Sequence, residues 1–240
     1  MSLAVIFDID GTLTATTGVD DECFVEAIHR TFGVAVTDTD WANYPCSTDY
    51  GLTCEIVRRA RGSLPSAEET GRMQRTFFTL LAEKIAAQPT RCRTVPGAHT
   101  LLGALINTDV PVGIASGAWP GSAEIKLGAA KLAIDRFPST FSHALGDGRP
   151  ASRPQIIEAT LAQLGLQRPG LPPLRPVYVG DGVWDCRAAR ALGIGFVGVR
   201  IDGKTDPLRS AGATRIVRDF EDLEAVLNHI MAAADEAAVV

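Results

Sequence analysis

The chain alternates between short unbroken apolar runs and longer stretches in which apolar residues recur every three or four positions. The runs lie at 3–7, 110–115, 177–179 and 196–199, with a fifth candidate at 213–217. Continuous runs of this length predict strands buried on both faces, as in a parallel sheet. Between them, the three-four spacing predicts helices over 97–107, 122–132, 154–165 and 220–234. In the third of these, Ile156, Ile157, Thr160, Leu161 and Leu164 share one face, and Gly165 is placed to end it. The alternation of strand and helix predicts an α/β protein built on a doubly wound parallel sheet.

Residues 16–92 carry a different pattern. "DDECFVEAIHRTFG" sets Phe24, Ala27, Ile28 and Phe32 on one helical face, with Asp20 or Asp21 as N-cap and Gly33 as the stop. "TDYGLTCEIVRRARG" reads as a second helix. A third, long helix opens at Ser66, with Glu69 three residues on in capping-box spacing. No strand pattern interrupts this block. It predicts an all-helical insert after the first strand, with 88–97 as the return segment, so that the domains are 1–15 plus 93–240 and 16–92. A proline-rich loop over 168–176 precedes the third apolar run.

Composition narrows the class. At 240 residues and 46% hydrophobic, the chain can bury a large core. A net charge of −5 gives no electrostatic reason to expect a nucleic acid or an anionic membrane as partner. The first apolar run meets acids at once, which is not a secretory leader, and no run is long enough to span a bilayer. Five cysteines, an odd number without a CxxC, predict free thiols, neither a disulfide framework nor a zinc site. The expectation is a cytoplasmic protein.

The chemistry lies in what ends the apolar runs. "AVIF" ends in Asp8, with Asp10 two residues on; "VGIA" ends in Ser116 and Gly117; "VYVG" ends in Asp181, with Asp185 near. In a parallel sheet all carboxyl ends lie on one edge, which is where ligands bind. Any one of these residues alone could simply cap the next helix. Together they place several carboxylates and a hydroxyl at one spot. Crowded carboxylates repel and call for a cation, and an oxygen-only set without His or Cys suits Mg²⁺. A carboxylate can attack phosphorus, a second can shuttle the proton, and a hydroxyl with backbone amides can hold phosphoryl oxygens.

"FDIDGTLT", "IASG" and "VGDGVWD" resemble, in order and spacing, three motifs of the haloacid dehalogenase-like hydrolase superfamily, and the resemblance covers nearly the whole chain. It implies a Rossmann-like core with a helical cap domain at 16–92, hinged at 11–18. It implies Asp8 as nucleophile and Asp10 as general acid/base. Mg²⁺ would be held by the Asp8 carboxylate, the Asp10 main-chain carbonyl and Asp181, with Asp185 close by, and Ser116 and Gly117 would bind the phosphoryl group. The substrate would be a small phosphorylated metabolite. The family's remaining motif, a basic residue usually followed by proline, departs from pattern. Here "DGRPASRPQIIEA" offers Arg149 and Arg153; Arg153 fits better because Ile156 and Ile157 follow it on the helix, and Lys126 is a third candidate.

A phosphomutase shares every one of these core residues and is the main alternative. A dehalogenase or a phosphonate hydrolase departs at Asp10, and a non-catalytic relative is expected to have lost a site residue. "GIGFVG" at 193–198 matches a dinucleotide fingerprint in letters, but it follows a helix and enters a strand, the reverse of what that fingerprint requires. In the insert, "YPCSTDYG" at 44–51 is a polar loop between helices, with Tyr44, Thr48 and Asp49, and Arg58 just beyond it, as candidate substrate contacts.

Overall fold

The computed structural model describes residues 2–167, 170 and 172–237. Six strands form one all-parallel sheet: β1 (Ser2–Phe7), β2 (Val112–Ala115), β3 (Ser139–Thr140), β4 (Leu174–Gly180), β5 (Gly195–Val199) and β6 (Ile216–Val217). Their spatial order is β3-β2-β1-β4-β5-β6. The order reverses between β1 and β4, so a crevice opens beyond the ends of these two strands.

Side chains alternate across the sheet as strand geometry requires. Ile6, Ala115 and Tyr178 pack with Ile156, Ile157 and Leu164 of α6 (Arg153–Leu166) and Ala188 and Ala189 of α7 (Val183–Ala191). Val5, Phe7, Val177 and Val179 face the opposite layer, with α4 (Ala98–Asn107) and α9 (Leu223–Ala237). The unbroken apolar run of β1 follows directly: Ala4 to Phe7 are fully buried because both faces are covered.

Between β1 and β2 the chain builds α1 (Thr17–Phe32), α2 (Asp49–Arg61) and α3 (Ala67–Ala87). The Ser66–Glu69 capping box opens α3, and Gly33 ends α1 in the left-handed conformation. After β2 comes α5 (Pro120–Ala129), the core helix on which the insert packs. An aromatic cluster makes that joint. Phe77 lies 5.7 Å from Phe24 and 6.2 Å from Trp119, and Phe24 lies 5.8 Å from Trp41. All five cysteines are free, and no helix among the described residues is long and apolar enough to cross a membrane.

Several local expectations need correction. α1 begins at Thr17, with Thr16 at its N-cap, so Asp20 and Asp21 stand inside the first turns and are not the cap. α6 runs through Gly165 to Leu166, with Gln167 as its C-cap. α9 starts at Leu223; Phe220 sits outside the helix and packs edge-on against Phe7 at 6.4 Å. The proline-rich stretch gives way to β4 at Leu174, while its residues 168, 169 and 171 lie outside the described residues. Pro176 is tolerated because it pairs only with β1, the β5 pairing starting at Val177. β3 and the short α8 (Asp206–Ser210) have too few apolar positions to show a period.

Phe77 is fully buried at the joint between insert and core. Phe77→Ala is expected to lower the unfolding free energy by about 3–5 kcal/mol, read from urea denaturation. A loss under about 1 kcal/mol would mean that the aromatic cluster does not hold the joint together.

Candidate active site

Strand register assembles the site. Phe7 pairs with Val179 on one side and Ile114 on the other, so the residues just beyond all three strands rise together. The Asp8 amide continues the ladder, donating to the Val179 carbonyl at 2.9 Å. Asp8, Ser116 and Asp181 therefore meet at the reversal point of the sheet. One carboxylate oxygen each from Asp8, Asp181 and Asp185 falls within 4.8 Å of the others.

Glycines let the backbone close around these acids. Gly11 has φ +71°, and a Cβ there would lie 2.0 Å from the Asp181 carboxylate. A Cβ on Gly180 would stand 2.6 Å from Asp185. Asp185 is fixed from below: its Oδ2 accepts from the Gly182 amide at 3.0 Å, and its Oδ1 lies 3.4 Å from the Tyr178 hydroxyl.

Arg153 enters at the first turn of α6, whose start is set by Ser152, with Gln155 Oε1 accepting from the Ser152 amide at 2.9 Å. Its Nη1 donates to Asp8 Oδ1 at 3.2 Å, its Nε lies 3.3 Å from Asp185, and its Nη2 donates to the Ser47 carbonyl at 3.2 Å. Gly117 makes room, since a Cβ there would be 2.6 Å from the guanidinium. Arg149 is exposed and paired with Asp147. Of the two Arg-Pro candidates, only Arg153 reaches the carboxylates.

Lys126 answers differently from its place as third candidate. It is fully buried on α5, with Nζ 2.5 Å from Asp10 Oδ2 and 2.7 Å from Asp20 Oδ1. The other Asp10 oxygen accepts from Thr16 Oγ at 2.5 Å. The Asp10 carboxyl group thus stands apart from the three-acid cluster.

Electrostatics follow from burial and crowding. Burial pushes the Asp8 carboxyl up, Arg153 pulls it down and Asp10 adds repulsion; the net shift is upward. Asp181 is raised well above the carboxylate range by burial, with Asp185, Asp8 and Asp10 adding to it. Asp185 is pushed up to about 7 by burial, against the pull of Arg153. Such a set relaxes on binding a positive ion, and its all-oxygen donors suit a hard divalent cation.

Above the acids is a partly open space of about 80 Å³. Asp8, Asp10, Asp181, Ser116, Gly117 and Arg153 form its floor; Asp20, Asp21, Phe24, Trp41, Thr48 and Asp49 of the insert form its roof. The sequence pattern did not mark Asp20 and Asp21 for the site, because acids in a first helical turn look like dipole partners. Asp21 Oδ1 accepts from the Trp41 indole at 2.7 Å. Asp49 Oδ2 accepts from the Trp119 amide at 2.7 Å and its own amide donates to the Gly117 carbonyl at 2.8 Å, so the 44–51 loop lies against the Ser116 turn. Tyr44 is buried below the Arg59 guanidinium, and Arg58 pairs with Glu55 on the surface; neither lines the space.

The sequence profile of the haloacid dehalogenase-like hydrolases matches residues 3–193. The chain belongs to that family. Among solved structures, a hydrolase from Pseudomonas syringae is 24% identical and superposes with a TM-score of 0.71 over 95% of this chain and 99% of that one. Beta-phosphoglucomutase from Clostridium difficile is 19% identical with a TM-score of 0.67, covering 100% of each chain. CbbY from Rhodobacter sphaeroides, solved in complex with phosphate, is 21% identical with a TM-score of 0.66 over 93% of this chain and 96% of that one. At these identities the likeness concerns the fold. No curated protein matches the chain.

Asp21 supplies a pH test within this haloacid dehalogenase-like site. Burial pushes its carboxyl up from 3.8 to about 6, against the pull of the Trp41 hydrogen bond. Its contribution to stability is full below the unfolded value and is lost as pH rises through the folded one. Asp21→Asn keeps an acceptor for Trp41 and removes the charge. At pH 8 the variant is expected to be more stable than wild type by about 1–3 kcal/mol, with the gap closing toward about pH 4. Urea melts across that range check it; a gap that widens toward acid would contradict the assignment.

Proposed function

We propose that this haloacid dehalogenase-like hydrolase is a Mg²⁺-dependent phosphomonoesterase acting on a small phosphorylated metabolite through a phospho-Asp8 intermediate. The observation that supports it most is the convergence of Asp8, Asp181, Ser116 and Arg153 on the floor of one small space, with the Asp185 carboxylate gathered against Asp8 and Asp181.

In this reading Asp8 attacks phosphorus, and the ester oxygen departs with a proton from Asp10. Water then attacks the phospho-Asp8 phosphorus while Asp10 takes up its proton. Phosphate leaves and the Asp8 carboxylate is restored. Ser116 and the Gly117 amide hold phosphoryl oxygens, and Arg153 neutralises charge spreading over them. Asp8, Asp181, Asp185 and the Asp10 carbonyl would hold Mg²⁺, which supplies further charge neutralisation and orientation. The insert acts as a cap that shuts bulk water out.

A phosphomutase would run the same first step. A mutase of this kind passes through a bisphosphorylated species, whose second phosphoryl group needs its own cation. Among the residues lining the space, the insert contributes Asp20, Asp21 and Asp49 and no basic side chain. That favours water as the acceptor.

The test is phosphate release from a panel of small phosphomonoesters, with Mg²⁺ and with chelator. Release is expected only with Mg²⁺, and Asp8→Asn abolishes it. Arg153→Met is expected to lower kcat by about 100- to 1,000-fold, while Arg149→Met leaves it unchanged. Turnover that survives chelation or the loss of Asp8 would overturn the reading, and an isomerised phosphate ester without free phosphate would point to the mutase.

A further inference from the structure

Lys126 is a buried cation that the reaction above does not use. A buried ammonium is costly unless well paired, so its partners carry information. Burial pulls the Lys126 ammonium down, but Asp10, Asp20 and Asp49 outweigh that and hold it charged. Its two direct partners come from different parts of the chain. Asp10 belongs to the segment just after β1, at 2.5 Å, and Asp20 to the first turns of α1, at 2.7 Å.

Both Asp10 oxygens are thereby held. One meets Lys126, and the other meets Thr16 Oγ at 2.5 Å, on the segment that leads into α1. Thr14 Oγ lies 2.7 Å from Thr16 Oγ and supports it. At its other end, α5 is gripped by Asp49 of α2 through the Trp119 amide. The insert therefore holds α5 by two carboxylates, and the inner hold passes through Lys126 to Asp10.

We propose that Lys126 is a positioning residue that fixes the Asp10 carboxyl group and, through Asp20, makes its pose depend on the insert being docked. This rests on the phosphomonoesterase reading, in which Asp10 moves the proton. With the insert down, Lys126 and Thr16 hold both carboxylate oxygens of Asp10, a residue that lines the space above the acids. With the insert lifted, α1 withdraws Asp20, and Lys126 loses the partner that anchors it. Proton transfer is thus tied to closure.

Leaving-group dependence separates positioning from simple structural support. An alkoxide needs a proton to depart, whereas a nitrophenolate leaves without one. The experiment measures kcat and KM with Mg²⁺ for an alkyl phosphomonoester and for p-nitrophenyl phosphate, in wild type, Lys126→Met, Asp20→Asn and the double variant. Lys126→Met is expected to lower kcat about 100-fold on the alkyl ester and less than about fivefold on the nitrophenyl ester, with KM little changed. Asp20→Asn shifts the same ratio by a smaller factor. The double variant removes one charge of each sign, so it keeps the local balance and folds even where Lys126→Met does not; it is expected to repeat the lysine pattern. Equal losses on both esters, a gain on the alkyl ester, or loss of fold in both lysine variants would overturn the proposal while leaving the phosphomonoesterase intact. A wild type that is folded but inactive on every ester overturns that reading, and the proposal with it.

Discussion

Repulsion among carboxylates at one edge of the sheet is the constraint that the rest of the molecule answers. Strand register brings Asp8 and Asp181 together, the first turn of α7 adds Asp185 within 4.8 Å of both, and Asp10 lies two residues from Asp8. Two buried cations face them, each shared between two acids: Arg153 between Asp8 and Asp185, and Lys126 between Asp10 and Asp20. The placement of other parts follows from this. α6 must begin where its first residue can reach Asp8, and α5 must turn its last full turn inward. Gly11, Gly117 and Gly180 must lack side chains, because a Cβ at each would collide with a member of this charge network.

The insert is bound into the same network by apolar means. Phe24 of α1 and Phe77 of α3 pack around Trp119, and Trp119 offers its amide to Asp49 of α2. Burial of aromatic surface stabilises the joint without regard to direction. The hydrogen bonds of Asp49 to the Trp119 amide and the Gly117 carbonyl supply the direction, so that the acidic roof settles over the Ser116 turn and not beside it. The hydrophobic cluster and the polar site are neighbours on the same helices, which makes closure of the space a packing event as much as an electrostatic one.

Much of this could be read from the sequence because it depends on local pattern. Apolar runs that end in Asp8, Ser116 and Asp181 become strand ends once the sheet is parallel, and the sheet order then brings them together without further information. Arg153 was legible for a similar reason: Ile156 and Ile157 fix which face of α6 is buried, and Arg153 is one turn earlier. Asp49 was legible only as a loop candidate, Lys126 as a third choice of cation and Asp20 and Asp21 as possible caps; what each of them pairs with was not legible. Their partners lie far away in sequence, Asp10 being 116 residues from Lys126, and an acid in a first helical turn has a local explanation ready. β3 and α8 escaped because two and five residues are too few for a period.

Arginine, and not lysine, as the first residue of α6 changes what that position can join. A lysine is a point charge, whereas the guanidinium presents donors in a planar fork. Arg153 spreads that fork over Asp8, Asp185 and the Ser47 carbonyl of the insert loop. Lys126 makes the matching link on the other side of the space, from Asp10 to Asp20 of α1. Each buried cation therefore touches the acids of the floor and an oxygen of the insert. Lifting the insert would leave both cations with fewer oxygen partners while the floor acids kept their repulsion. The two buried cations of the site thus take part of their oxygen partners from the insert, so the charge balance of the floor depends on the insert lying against it.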